Sequence, residues 1–337
     1  MAVSIKEVAK KAGVAIGTVS RVFNHYPDVL PETKAKVMQA ARELNYIPNA
    51  NARSLSAKKP PNICLIASDL LSGDDRDSML YLEIKGIIAY ADEHHLELSI
   101  LNTDSSRQRS TSFVDFCHLH AISGAIVTGM KTDDPYFREL VESDIPVVGI
   151  DLPIEGVKAC WISADNVQAS RDAVKGLFDR GLRNILIVAG SKNAAVNDER
   201  LAGVRQAYEN EGRVLEEGTV LYADFDEELA RIRTDEWLSS HPAPDAVFCF
   251  SDLMAVGVMK TLTARGLRIP EDVSVMGFDG TPFSSLLTPP LATVSQEVRR
   301  MGYEAAGMVH AMMEDRETDG HRIVPHTIVY RESVRKA

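Results

Sequence analysis

Thr18, Ser20 and Arg21 place two hydroxyls and a guanidinium on one side of the stretch VAIGTVSRVFN, residues 14–24. Val19, Val22 and Phe23 run as an apolar stripe at helical spacing along the other. The chemistry such a face supports is recognition. Small hydroxyl side chains bond phosphate oxygens and fix register. Arg21 can grip guanine bidentately, a contact worth about 1–3 kcal/mol of base discrimination. Ile16 can pack on a thymine methyl, and Gly17 admits a close backbone at a cost of about 1 kcal/mol in helix propensity. A plain three-helix bundle with a solvated Thr/Ser/Arg side would carry the same residues. A second set lies far downstream. Asp279 ends the run VSVMGFD, Ser251 and Asp252 end AVFCFSD, and Arg200 begins the region beyond ILIVAG. An Asp and an Arg facing each other across a wet cleft recognise hydroxyl groups, and Phe225 offers a face for a sugar ring. Each of these residues also has a structural reading as a salt bridge or helix cap, and Asp252 is expected to cap the helix starting at Leu253.

Catalytic patterns are missing from the chain. HLH at 118–120 and His94–His95 do not have metal-site spacing, and neither GxSxG, a Walker loop nor GxGxxG opening a βα unit occurs. The acidic stretch SGDDRDS lacks the spaced ligands and closing Glu of a calcium loop. No cofactor is expected. Cys64, Cys117, Cys160 and Cys249 are scattered without a CxxC pair and read as reduced, buried thiols. No apolar run reaches membrane-spanning length and no signal peptide is visible, so a cytoplasmic protein is expected. The net charge of −11 hides an asymmetry: residues 1–61 hold ten Lys or Arg against four Asp or Glu, leaving 27 against 44 in the rest. A basic head on an acidic body suits a polyanion-binding module joined to a sensor or enzyme.

These side chains need elements to hold them. In SIKEVAKKA, Ile5, Val8, Ala9 and Ala12 make one helical face, and Gly13 ends it. A second helix follows near 16–24. A third carries Val37, Ala40, Ala41 and Leu44. Three short helices, the first two joined by a tight turn, predict a helix-turn-helix domain whose second helix enters the major groove. Leu55, flanked by Arg53, Lys58 and Lys59, suits insertion between base steps in the minor groove. From residue 62 apolar runs alternate with amphipathic helices. NICLIAS, LELSILNT, GAIVTG and IPVVGID are separated by helices near 79–95, 107–120 and 134–144. NILIVAG, EGTVLYAD, DAVFCFSD and VSVMGFD repeat the plan, with helices near 166–181, 197–212, 226–240 and 253–266. Such alternation predicts two parallel sheets covered by helices. A helix near 297–315 and a tail, IVPHTIVYRES, are expected to cross between the two lobes.

IKEVAKKAGVAIGTVSRVFN followed by ETKAKVMQAARELNYIPNANARSL resembles the lactose-repressor (LacI/GalR) family of bacterial transcription regulators over residues 4–56. RLAG, SDLMAVGV, RIPEDVSVMGFD and LATVSQ extend the likeness, more loosely, through 62–334. The resemblance implies an all-α helix-turn-helix domain (1–49), a hinge helix and linker (50–61), and a two-lobed α/β periplasmic-binding-protein-like effector domain (62–337). The first lobe would hold 62–163 and 291–322, the second 164–290 and 323–337. It implies a DNA-binding transcriptional repressor, not an enzyme, that binds a pseudo-palindromic operator in double-stranded DNA as a homodimer. Ile16, Gly17 and Arg21 would read bases; Thr18, Ser20 and Asn24 would contact or buttress the backbone. Asn51, Ala52, Arg53 and Leu55 would form the minor-groove hinge. A small-molecule effector, a sugar with a nucleobase as the alternative, would be lined by Asp165, Arg200, Phe225, Ser251, Asp279 and Gln296. Asp69, Met79 and Leu80 are weaker candidates from the first lobe. The protein would be cytoplasmic and nucleoid-associated when bound to DNA, and an ending without a leucine heptad favours a dimer over a tetramer. Two departures stand out. Ala15 and Leu30 occupy positions where the family has capping hydroxyls, which predicts a less stable head.

Overall fold

The computed structural model describes residues 4–23, 29–44, 46, 62–68 and 78–336. Three helices form the head: α1 (Ile5–Ala12), α2 (Ile16–Phe23) and α3 (Pro31–Glu43). The Ser4 N–H and Oγ both donate to the Glu7 carboxylate, at 2.7 and 2.9 Å, and hold it below the usual carboxylate range. Gly13 ends α1 in the left-handed region at φ 65°, where a side chain would be strained. The three apolar faces meet in a small core of Val8, Ala9, Val19, Val22, Val37, Ala40 and Ala41. Ala15 gives α2 only its carbonyl, which accepts from the Thr18 and Val19 N–H groups at 2.9 and 3.2 Å. Leu30 makes no side-chain bond at the start of α3, where Pro31 sets the first turn.

The body is two sheets of six strands. In the first, β1 (Asn62–Ser68), β2 (Glu97–Thr103), β3 (Gly124–Thr128), β4 (Val147–Ile150), β5 (Ala159–Ala164) and β11 (His321–Val324) take the order β11-β5-β4-β3-β1-β2. In the second, β6 (Ile185–Ala189), β7 (Val220–Tyr222), β8 (Ala246–Cys249), β9 (Ser274–Asp279), β10 (Ala292–Ser295) and β12 (Thr327–Val329) take the order β12-β10-β9-β8-β6-β7. Every pairing is parallel except β12 against β10. The unbroken apolar run of β1 follows from cover on both faces. Ile63, Leu65 and Ala67 enter one core, and Cys64 and Ile66 the other.

The helices between strands lie on both sheet faces: α4 (Ser78–Glu93), α5 (Ser105–Ser110), α6 (Phe113–Leu119) and α7 (Pro135–Glu142) in the first lobe, and α8 (Asn166–Phe178), α9 (Ala195–Asn210), α10 (Glu227–Leu238) and α11 (Asp252–Ala264) in the second. Helix α12 (Val298–Met313) returns to the first lobe and packs on α4. Glycines let that pair close up. A Cβ on Gly302 would stand 2.2 Å from the Glu83 carbonyl oxygen, and one on Gly86 would stand 2.0 Å from that of Arg299.

Four expectations need correction. The helix expected over 107–120 is two, because Asp104 caps α5 and Ser112 caps α6. Strand β5 was not anticipated; its Trp, Ser and Ala hide it among the apolar runs. The first lobe does not take up residue 291 onward, since β10 pairs with β9 and the chain crosses only after Ser295. Likewise β11 keeps the chain in the first sheet to Val324, past the expected boundary at 322, and β12 then takes a place in the second sheet. All four cysteines are free and buried. Among the described residues no helix is long and apolar enough to cross a membrane.

Candidate functional site

In the head, the core holds α2 by Val19 and Val22, so the remaining side of the helix faces outward. Ile16 is 45% exposed, an unusual position for isoleucine, and Gly17 and Arg21 are exposed beside it. Thr18 and Ser20 are half-buried at the edge of this face. A Cβ on Gly17 would meet nothing within 4 Å, so its value is thinness toward an external surface rather than internal packing. The face is thus rigidly mounted, apolar at its start and cationic at its end. Asn24, Asn51, Ala52, Arg53 and Leu55 lie outside the described residues.

In the body, Arg200 sits in the second turn of α9 and is only 3% exposed. Its Nε donates to Asn166 Oδ1 at 2.8 Å, Nη1 donates to the Phe250 carbonyl, and the guanidinium lies 3.8 Å over the Phe278 ring. Burial lowers its pKa, opposed by Asp279 and then Asp151. Asp279 comes from the carboxyl end of β9 at φ 121°, a conformation that costs a non-glycine residue about 1–3 kcal/mol and tends to persist at functional sites. Its Oδ1 accepts from Gln296 Nε2 at 2.8 Å and its Oδ2 from the Asp252 N–H at 3.3 Å. Burial raises the Asp279 carboxyl well above its ordinary range, and Arg200 opposes the rise. Asp151, just past β4, accepts from Ser163 Oγ at 2.5 Å, and burial raises its pKa too. The Asp151 and Asp279 carboxylates, one from each lobe, act on this buried cation through space, while its direct contacts are Asn166, the Phe250 carbonyl and the Phe278 ring. The expected wet cleft is instead largely buried.

Other expected residues divide. Gln296 is fully buried against Asp279, and Phe225, half-buried at φ 61°, lays its ring where a side chain on residue 190 would otherwise lie. Ser251 caps α11, accepting from the Met254 N–H at 3.1 Å. Asp252 does not cap that helix. It accepts from Thr281 N–H and Oγ1 and from Thr293 Oγ1, at 2.8, 2.7 and 2.6 Å, and so pins the chain after β9 to β10. Asp165 is exposed and caps α8 through the Gln168 N–H. Leu80 is buried in the first-lobe core with Met79 packed on it, and Asp69 lies outside the described residues. The lobes also touch at the rim of the cleft. Asn193 Nδ2 donates to Asp133 Oδ2 at 2.9 Å, and Thr132 N–H and Oγ1 donate to the Asn193 carbonyl at 3.4 Å. A cavity of about 590 Å³ adjoins Asp279 between Leu82, Pro282, Arg299 and Tyr303.

Residues 4–49 match the family described as bacterial regulatory proteins, lacI family, and residues 174–334 match the periplasmic binding protein-like domain. The PurR transcriptional repressor of Vibrio campbellii is 31% identical over 337 residues, covering 99% of each chain. The chain belongs to the lacI family. It is a DNA-binding transcriptional regulator rather than an enzyme. The transcriptional regulator DegA of Bacillus subtilis is 31% identical to this lacI-family regulator over 90% of this chain and 89% of its own. Among solved structures, a CelR–cellobiose complex superposes with a TM-score of 0.72 at 27% identity, covering 98% of this chain and 99% of that one. A lac repressor dimer bound to operator and an anti-inducer matches at 0.72 and 25%, covering 99% of each. Two residues of this lacI-family regulator's cleft escaped the sequence reading. Asp151 had the same signal as Asp279, an acid closing an apolar strand run. Asn166, which orients Arg200 and also donates to Glu199 at 2.9 Å, carried none.

Proposed function

We propose that a small carbohydrate binds between the two lobes and controls the affinity of this regulator for its operator. The observation that carries the proposal is the buried guanidinium of Arg200, on which Asp151 of the first lobe and Asp279 of the second both act electrostatically. An occupant bonding to these groups touches both lobes at once, so its binding free energy acts on lobe closure. Buried charge-assisted donors and acceptors suit hydroxyl groups. Arg200, Asp279 and Gln296 are assigned to polar contacts, Phe225 to ring stacking, and Ser251 and Asp165 to the ends of the helices that border the site. A relative solved with cellobiose supports the ligand class. Residues 1–49 serve as the DNA-binding domain, 50–61 as hinge and 62–337 as effector domain, its lobes divided at 164, 296 and 325.

In this reading Ile16, Gly17 and Arg21 meet base edges, while Thr18, Ser20 and Asn24 meet the backbone. Asn51, Ala52, Arg53 and Leu55 enter the minor groove. A cytoplasmic homodimer presents two heads to half-sites about one helical turn apart, as the operator-bound lac repressor dimer supports. Effector coupling in such systems is typically about 1–3 kcal/mol, or about 5–150-fold in DNA affinity. The test is gel retardation of a pseudo-palindromic fragment by the full-length protein, with and without a sugar panel that includes cellobiose. Arg200→Ala is expected to abolish the sugar's effect on retardation. A response that survives this substitution overturns the cleft assignment.

A further inference from the structure

Asn197 stands one turn before Arg200 on the same face of α9, and its side chain is fully buried. Neither its Oδ1 nor its Nδ2 has a hydrogen-bond partner among the described residues. That is costly, because a carboxamide withdrawn from water forfeits its hydrogen bonds unless protein groups replace them. Asn166 is engaged with Arg200 and Glu199, and Gln296 and Gln108 each leave one amide atom without a partner among the described residues, whereas Asn197 leaves both. The position of Asn197 explains why it would be retained. Helix α9 follows β6 through residues 190–194, so its first turn lies at the carboxyl edge of the second sheet, where ligands of α/β folds bind. Asn193, one turn earlier, makes the hydrogen bonds to Thr132 and Asp133 that join the lobes at this rim.

We propose that Asn197 reads the effector, its carboxamide donating one hydrogen bond and accepting another from neighbouring hydroxyls of a sugar in the cleft. The inference rests on the carbohydrate reading above and adds a specificity-determining residue to it. A hydroxyl pair answers both halves of the amide, whereas an apolar group or a lone acceptor leaves one half idle.

The test uses full-length wild type, Asn197→Leu, Asn197→Asp and Arg200→Ala, titrated calorimetrically with cellobiose, glucose, galactose, lactose and ribose. Asn197→Leu keeps the branched shape at a larger size and removes the idle polar atoms, so its melting temperature without sugar should rise. Its affinity for whichever sugar binds the wild type should fall by about tenfold or more. Asn197→Asp, which keeps shape and acceptor but loses the donor, should also bind more weakly. Unchanged affinity in both variants, with Arg200→Ala still defective, overturns the role of Asn197 and leaves the cleft reading standing. A lower melting temperature for Asn197→Leu with unchanged affinity overturns it as well, by making the amide a part of the fold. If none of the sugars binds the wild type, the carbohydrate reading and this inference fail together.

Discussion

Asp252 shows how a single carboxylate can be misjudged from its place in a sequence. It follows a strand and precedes a helix, as a cap does, yet Ser251 takes the capping bond and Asp252 turns inward to two threonines. Gly277 makes this possible, since a Cβ there would lie 2.3 Å from Asp252 Oδ1. Burial raises the Asp252 pKa to about 6 against three hydrogen bonds that lower it. A folded-state pKa above the unfolded one means that the native state holds the proton more tightly. This residue's contribution to stability is therefore present at low pH and lost as pH rises from about 4 through about 6. Asp252→Asn is expected to remove that share of the loss. Urea midpoints of variant and wild type measured across the interval should converge toward low pH and separate in the variant's favour above it. Parallel profiles would show that Asp252 does not titrate there.

Helices in the body are brought together by glycine. At the α4–α12 crossing the Gly302 Cα lies against the Glu83 carbonyl, at α8–α9 Gly203 lies against Val167, and at α10–α11 Gly257 lies against Glu227. In each case an added Cβ would sit 2.1–2.2 Å from a backbone oxygen that cannot rotate away. Overpacking of this kind costs about 1–3 kcal/mol. Gly302→Ala is expected to lose that much in urea unfolding, because α12 must move off α4 and carry the lobe crossing with it. A loss below about 0.5 kcal/mol, the range of neutral surface changes, would show that the crossing yields easily. In the head it is capping that is missing. Ala15 and Leu30 leave the starts of α2 and α3 without side-chain caps, each a forgone contribution of about 1 kcal/mol.

At the scale of the molecule, the chain crosses between lobes after β5, after β10 and after β11. The rim contact between Asn193 and residues 132–133 joins the lobes away from the crossings. Its first-lobe half is stiffened by Asp134, which accepts from the Lys131 N–H and from Ser105 Oγ at 2.9 and 2.6 Å. Asn193→Ala removes the side-chain bond to Asp133. If closure retains the effector, this variant should bind whichever sugar the wild type binds about 2–10-fold more weakly in calorimetry, the worth of one net hydrogen bond. Equal affinity would place the control of closure elsewhere.

Local pattern carried the architecture far. Helical spacing around Val8, Val19 and Val37 specified the head, and the repeated apolar runs specified two α/β lobes, because burial of one face or both leaves its period in the chain. The ends of two runs also pointed to Arg200 and Asp279. What the pattern could not supply was pairing over distance. Whether β10 joins the first sheet or the second, which carboxylate of the opposite lobe acts on Arg200, and whether Asp252 caps a helix or anchors a loop depend on residues far apart in the sequence coming together in space. The energies that decide such meetings, burial of charge and the matching of donors to acceptors, arise only once the backbone has closed around them.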